Sequence, residues 1–220
     1  MGPSSLCQIC RDHPRFYKFT YDSQREEDVT LAGTGLACEE TVEQLLAEEG
    51  EMVFAVKGEK GFLSFEDLLS RLSLSLPRRL LHVHPSFQKD QVHQVLQLLE
   101  ETNPIDRAWT ESLSFMENHE EEISRKAELL AENLPPHFLT NLYRYIFYRQ
   151  LDECEAYDIE DAACYSSESV TFILLEYGRT GNLIRSVTRW SEQVEYDTEN
   201  VYILLDSIWT HLRSEGSQGS

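Results

Sequence analysis

Pro135-Pro136-His137-Phe138-Leu139-Thr140-Asn141-Leu142-Tyr143-Arg144-Tyr145-Ile146-Phe147-Tyr148-Arg149-Gln150-Leu151 decides the fold of this chain. Two prolines open the segment, and proline is tolerated at the first turn of a helix and nowhere deeper. Phe138, Leu139, Leu142, Tyr143, Ile146, Phe147 and Leu151 then recur at helical spacing and form a dense apolar stripe. Such a stripe needs other helices to cover it, and the flanking sequence supplies them. Val92, Val95, Leu96 and Leu99 mark an amphipathic helix over 88–101, stopped by Asn103-Pro104. Trp109, Leu113, Met116, Ile123 and Leu130 predict a long helix over about 105–131, with a solvated acidic face at 117–122. Further helices are expected over about 162–190 and 199–212.

Upstream, Val42, Leu45 and Leu46 predict a helix from Glu39, with Gly50 read as its terminating glycine. Met52 to Lys57 is β-prone, and Gly58-Glu59-Lys60-Gly61 turns it toward Phe62 and Leu63, giving a small hairpin. Ser64-Phe65-Glu66-Asp67 has capping-box spacing and opens a helix that runs through Leu68, Leu69, Leu72 and Leu76 to Pro77. Residues 1–38 read as irregular, with a short strand at Thr30 to Ala32. The expected architecture is mainly α, a multi-helix bundle with an irregular cysteine-bearing start. It divides into residues 1–38, a helical domain over 39–213 and a frayed tail over 214–220.

Acidic residues number 39 against 19 basic ones, a net charge of −20. That balance repels nucleic-acid phosphates and anionic membranes, and it suits either solubility alone or a lysine-bearing protein partner. No apolar run approaches the roughly 18 residues of a membrane span. The start lacks a basic patch and an apolar stretch, so a cytoplasmic protein is expected, with reduced thiols.

Cys7, Cys10 and Cys38 are three soft ligands, and His13 stands ready as a fourth. Thiolates suit zinc or an iron–sulfur cluster. The bland alternative is a set of structural thiols. Cys38 also sits at a helix N-terminus, which lowers a thiol pKa, but Glu39 and Glu40 oppose that. Gly33-Thr34-Gly35 is either half of a nucleotide loop or a tight turn into the helix. His82 and His84 form a His-x-His pair that serves as ligands or as solvated residues. Tyr143, Tyr145, Phe147 and Tyr148, with Arg144 and Arg149, line a ligand cleft or form core with a snorkelling rim. Cys154 and Cys164 read as incidental.

Four phrases, in order, resemble the flagellin lysine-N-methylase family. They are Cys10-Arg11-Asp12-His13-Pro14-Arg15-Phe16, Gly35-Leu36-Ala37-Cys38-Glu39-Glu40, the aromatic segment from Asn141 to Arg149, and the stretch from Thr188 to Asn200 (Thr-Arg-Trp-Ser-Glu-Gln-Val-Glu-Tyr-Asp-Thr-Glu-Asn). The resemblance implies a cytoplasmic bacterial enzyme that methylates flagellin lysines from S-adenosylmethionine, with an iron–sulfur or other cysteine-held metal centre. It implies Cys10 and Cys38 as ligands, Cys7 as a third, and Arg11 and Arg15 as site neighbours. Family members carry a cysteine-rich region ahead of the first phrase, so a truncated or inactive form is one expectation. A non-catalytic helical binding module and a small metal or redox protein are the alternatives.

Overall fold

The computed structural model describes residues 15–83 and 85–216. Among them are nine α-helices and two small antiparallel sheets, so the mainly α expectation holds. In order they are β1 (Arg15–Asp22), β2 (Glu27–Thr34), α1 (Glu39–Ala47), β3 (Phe54–Ala55), β4 (Phe62–Leu63), α2 (Phe65–Arg71), α3 (Lys89–Glu100), α4 (Arg107–Asn118), α5 (Glu120–Ala131), α6 (Phe138–Tyr148), α7 (Ile159–Thr180), α8 (Leu183–Trp190) and α9 (Thr198–Gly216). None of these helices is long and apolar enough to cross a membrane.

α7 is the axis of the bundle. It is buried nearly all round and packs against α3, α5, α6, α8 and α9, as a helix with apolar residues on every side must. Gly178 lets α5 close on it: a Cβ there would stand 2.9 Å from the Ala127 nitrogen and the Ile123 carbonyl. α6 crosses α7 with Phe138, Leu142, Ile146 and Phe147 fully buried. Each such side chain contributes about 1.5–3 kcal/mol of apolar transfer.

Several element ends differ from expectation. The helix from Ser64 has its capping box, with the serine hydroxyl accepting from Asp67 N–H at 3.1 Å. It stops at Arg71 and not near Leu76, because Ser73 adopts φ 56°. Leu74 N–H then reaches back to the Leu69 carbonyl at 2.8 Å and Ser73 N–H to Ser70 at 3.1 Å, a Schellman stop made with serine. α1 ends at Ala47, where Glu48 turns extended, so Gly50 does not end it. The long helix over 105–131 is two, broken at His119 (φ −129°, ψ 26°). The 162–190 helix is also two, broken at left-handed Gly181, with Asn182 capping α8.

The larger correction lies at the start. Residues 15–34 are not irregular but form a full hairpin, paired from Arg15↔Thr34 to Asp22↔Glu27. Its inner face packs Phe16 and Leu31 toward the core, and its outer face exposes Tyr17, Phe19 and Tyr21. Asp22 ties the hairpin to α2 through a 2.5 Å contact with Arg71, which also grips Glu59 at 2.8 Å. Burial alone would raise the Asp22 carboxyl, but Arg71 and the Gln24 and Arg25 amides hold it below its ordinary range.

Candidate functional site

α6 has two working faces. Tyr143 and Phe147 point into the core, while Tyr145 and Tyr148 point at the outer edge of β2. Thr34 N–H donates to the Tyr145 hydroxyl at 2.8 Å, and that hydroxyl donates to the Thr34 carbonyl at 2.5 Å. Tyr148 does the same for Ala32, at 3.1 and 3.2 Å. Two phenols thus stand where a neighbouring strand would be. Burial pushes the Tyr145 phenol up to about 12, so it stays protonated and can both donate and accept.

Gly33 lies between these two anchors. A Cβ there would come within 2.6 Å of the Phe16 ring and 2.8 Å of the Tyr145 hydroxyl. The glycine is present for close packing of ring and phenol. The following Gly35 to Cys38 makes a turn into α1, closed by Cys38 N–H to the Gly35 carbonyl at 3.2 Å. The tight-turn alternative is the one realised, and the sheet is antiparallel rather than the parallel kind a dinucleotide loop needs.

The end of α6 leads into a buried charge pair. Arg149 Nε lies 2.7 Å from Glu195 Oε1, and the two side chains are 8% and 0% exposed. Glu195 sits in a π-helical turn, Ser191–Glu195, that follows α8. Such turns recur at functional sites. Ser191 Oγ donates to Glu195 Oε2 at 2.6 Å, and the Leu36 backbone N–H also bonds this carboxylate. Burial raises the Glu195 carboxyl above its ordinary value, with Arg149 pulling the other way. The guanidinium carbon of Arg149 stacks 4.5 Å over the Phe16 ring. Arg149 Nη1 and the Tyr165 hydroxyl are buried beside the pair with no hydrogen-bond partner among the described residues. The Arg149–Glu195 contact itself is close but off hydrogen-bond alignment, so charge holds it.

This junction draws on all four phrases that resemble the methylase family. Phe16 comes from the first, Leu36 from the second, Arg149 from the third, and Ser191 and Glu195 from the fourth. The rest of the fourth phrase is structural. Gln193 accepts from Ile105 N–H and donates to the Asn103 carbonyl, both at 2.7 Å. Asn200 accepts from Asn103 N–H at 2.7 Å and donates to the Gln193 carbonyl at 2.8 Å. Together they pin the α3–α4 connection to the π turn.

Among the residues proposed from sequence, Cys38 is the N-cap position of α1, half-buried, near enough that its charge would be felt at the Tyr196 phenol. Arg15 is exposed at the start of β1. Cys7, Cys10, Arg11, His13 and His84 lie outside the described residues. His82 is exposed. Among the described residues no group of three or more His, Cys, Asp or Glu side chains could hold a metal. Arg144 and Arg149 do not snorkel at a rim. Arg144 is 1% exposed, with Nη1 2.6 Å from Glu51. Cys154 and Cys164 are pushed by burial up to about 12 and about 11, which keeps both thiols protonated and inert.

Beside the junction, a groove of about 790 Å³ runs between the outer edge of β2 and the extended chain of residues 51–57, with Tyr145 and Tyr148 on its floor. Its size is that of a ligand or peptide site. Elsewhere, Glu168 lines a small apolar recess between α3, α7 and α9, and burial raises its carboxyl to about 7. Sequence reasoning missed both the Arg149–Glu195 pair and Glu168.

Comparison with protein-family models, with curated proteins and with solved structures gives no match for this chain.

Proposed function

We propose that this chain is a protein-lysine N-methyltransferase of the flagellin lysine-N-methylase type, acting in the cytoplasm on a lysine-bearing protein. One observation carries the reading. Single residues from four phrases that resemble that family, namely Phe16, Leu36, Arg149, Ser191 and Glu195, meet at the buried Arg149–Glu195 pair.

The chemistry asked of the site is modest in kind. A substrate lysine must lose a proton before its nitrogen attacks the methyl group of S-adenosylmethionine, which leaves as S-adenosylhomocysteine. The strongly acidic surface draws a cationic side chain. The Arg149–Glu195 pair acts as a positioning element, fixing β1, the entry to α1 and the π turn relative to one another. Cys38, on the α1 entry so fixed, joins Cys7 and Cys10, with His13 in reserve, to hold an iron–sulfur cluster or zinc.

Calorimetric titration of S-adenosylmethionine into the chain, after anaerobic loading with iron and sulfide or with zinc, tests the proposal. Saturable binding is expected, and Cys38→Ser lowers the metal bound per chain. Absence of any heat of binding, with the protein folded, counts against it. The groove favours a second reading, a protein-binding module without catalysis, which predicts partner capture and no methyl transfer.

A further inference from the structure

We propose that the groove beside β2 docks an extended segment of a basic partner polypeptide, which adds as a strand to the free edge of β2. The backbone argues for it. Ala32 and Thr34 turn their N–H and C=O groups away from β1, because both residues give them to tyrosine hydroxyls. Antiparallel ladders alternate with a period of two, so Thr30 and Asp28 face the same side. No tyrosine reaches them, and among the described residues these backbone groups have no partner. Thr30 lines the groove.

The opposite wall is itself extended and runs antiparallel to β2 along α6. Asn141 holds Gly50 and Met52 at 2.8 Å each, and the Phe54 ring lies 4.9 Å from the Tyr148 ring. Open strand edges are normally blunted. Here two phenols close the Ala32–Thr34 half and leave the Asp28–Thr30 half beside a groove. That is the geometry of recognition by strand addition, where main-chain bonds give affinity and alternate side chains give selectivity.

Charge selects the occupant. Arg25 and Arg71 are neutralised by Glu27, Glu59 and Asp22 within the rim. Glu48 lines the groove and Asp28 flanks its open edge, with Lys57 as the opposing cation. The net charge of −20 decides in favour of a basic segment. This inference leans on the methyltransferase reading only for naming the segment as substrate.

The test is fluorescence anisotropy of the full chain with a short labelled peptide alternating valine and lysine. Saturable binding is expected. N-methylation of alternate peptide amides should weaken it roughly tenfold or more, as should glutamate in place of lysine. Thr30→Pro should weaken it similarly, since the lost N–H points away from β1. Equal binding of the N-methylated or the glutamate peptide overturns the proposal. Edge-dependent binding with no methyl transfer upholds the docking slot and removes the methyltransferase reading. Methyl transfer with an unchanged KM in Thr30→Pro does the reverse.

Discussion

Arg149 and Glu195 form an ion pair at 2.7 Å in the interior, one from the end of α6 and one from a π-helical turn. A buried pair is a weak source of stability but a costly thing to break. Arg149→Met should destabilise the protein by about 3–5 kcal/mol, and Arg149→Met with Glu195→Leu should recover most of that. Left alone, Glu195 binds a proton more readily folded than unfolded. Stability then falls as pH rises above the ordinary glutamate range, so the single-variant deficit grows from acid to neutral pH. Denaturant melts at two pH values measure both effects.

Tyr145→Phe removes one hydroxyl and strands two backbone groups of Thr34. A cost of about 1–2 kcal/mol is expected. Amide hydrogen exchange provides the local reading: Thr34 should exchange faster while the Phe16–Gly33 part of the ladder stays protected.

Glu168 gives a separable pH effect. Its folded carboxyl titrates near 7, raised by burial from an ordinary value of 4.5. Between those values the folded state holds a proton that the unfolded state has lost, so stability falls as pH rises through the window. Glu168→Gln should therefore raise the melting temperature at pH 8 and leave it nearly unchanged at pH 4. The same change at exposed Glu43 should do neither.

Gly178→Ala forces a methyl group against α5 backbone and should cost about 1–3 kcal/mol. Gly50→Ala meets nothing within 4 Å and should be close to neutral. Thermal melts of the two variants side by side test whether the α5–α7 crossing is as close as described.

Much of the helical frame could be read from side-chain spacing, because α3, α6 and α7 declare their apolar faces and Ser64 its capping box. The β1–β2 hairpin could not. Its two faces both carry aromatics, Phe16 inward and Tyr17, Phe19 and Tyr21 outward, so the apolar–polar alternation that marks a strand is absent. Its turn uses Glu26 at φ 55° where glycine or asparagine would have signalled it. Helix breaks at His119 and Ser73 were hidden for the same reason. The Arg149–Glu195 pair was illegible because nothing local shows that two charged residues in different helical stretches will share one buried site. Cys38 stands at the N-cap of α1, where its place before an amphipathic run put it, whereas Cys7, Cys10 and His13 lie outside the described residues.

Methyl transfer to protein lysine can be read directly. The direct measurement is mass spectrometry of unmethylated flagellin incubated anaerobically with the metal-loaded chain and S-adenosylmethionine carrying a labelled methyl group. Label is expected on lysine side chains, lost in Cys38→Ser and in Arg149→Met at a temperature where the latter remains folded. Unlabelled lysines after incubation with folded, metal-loaded protein would contradict it.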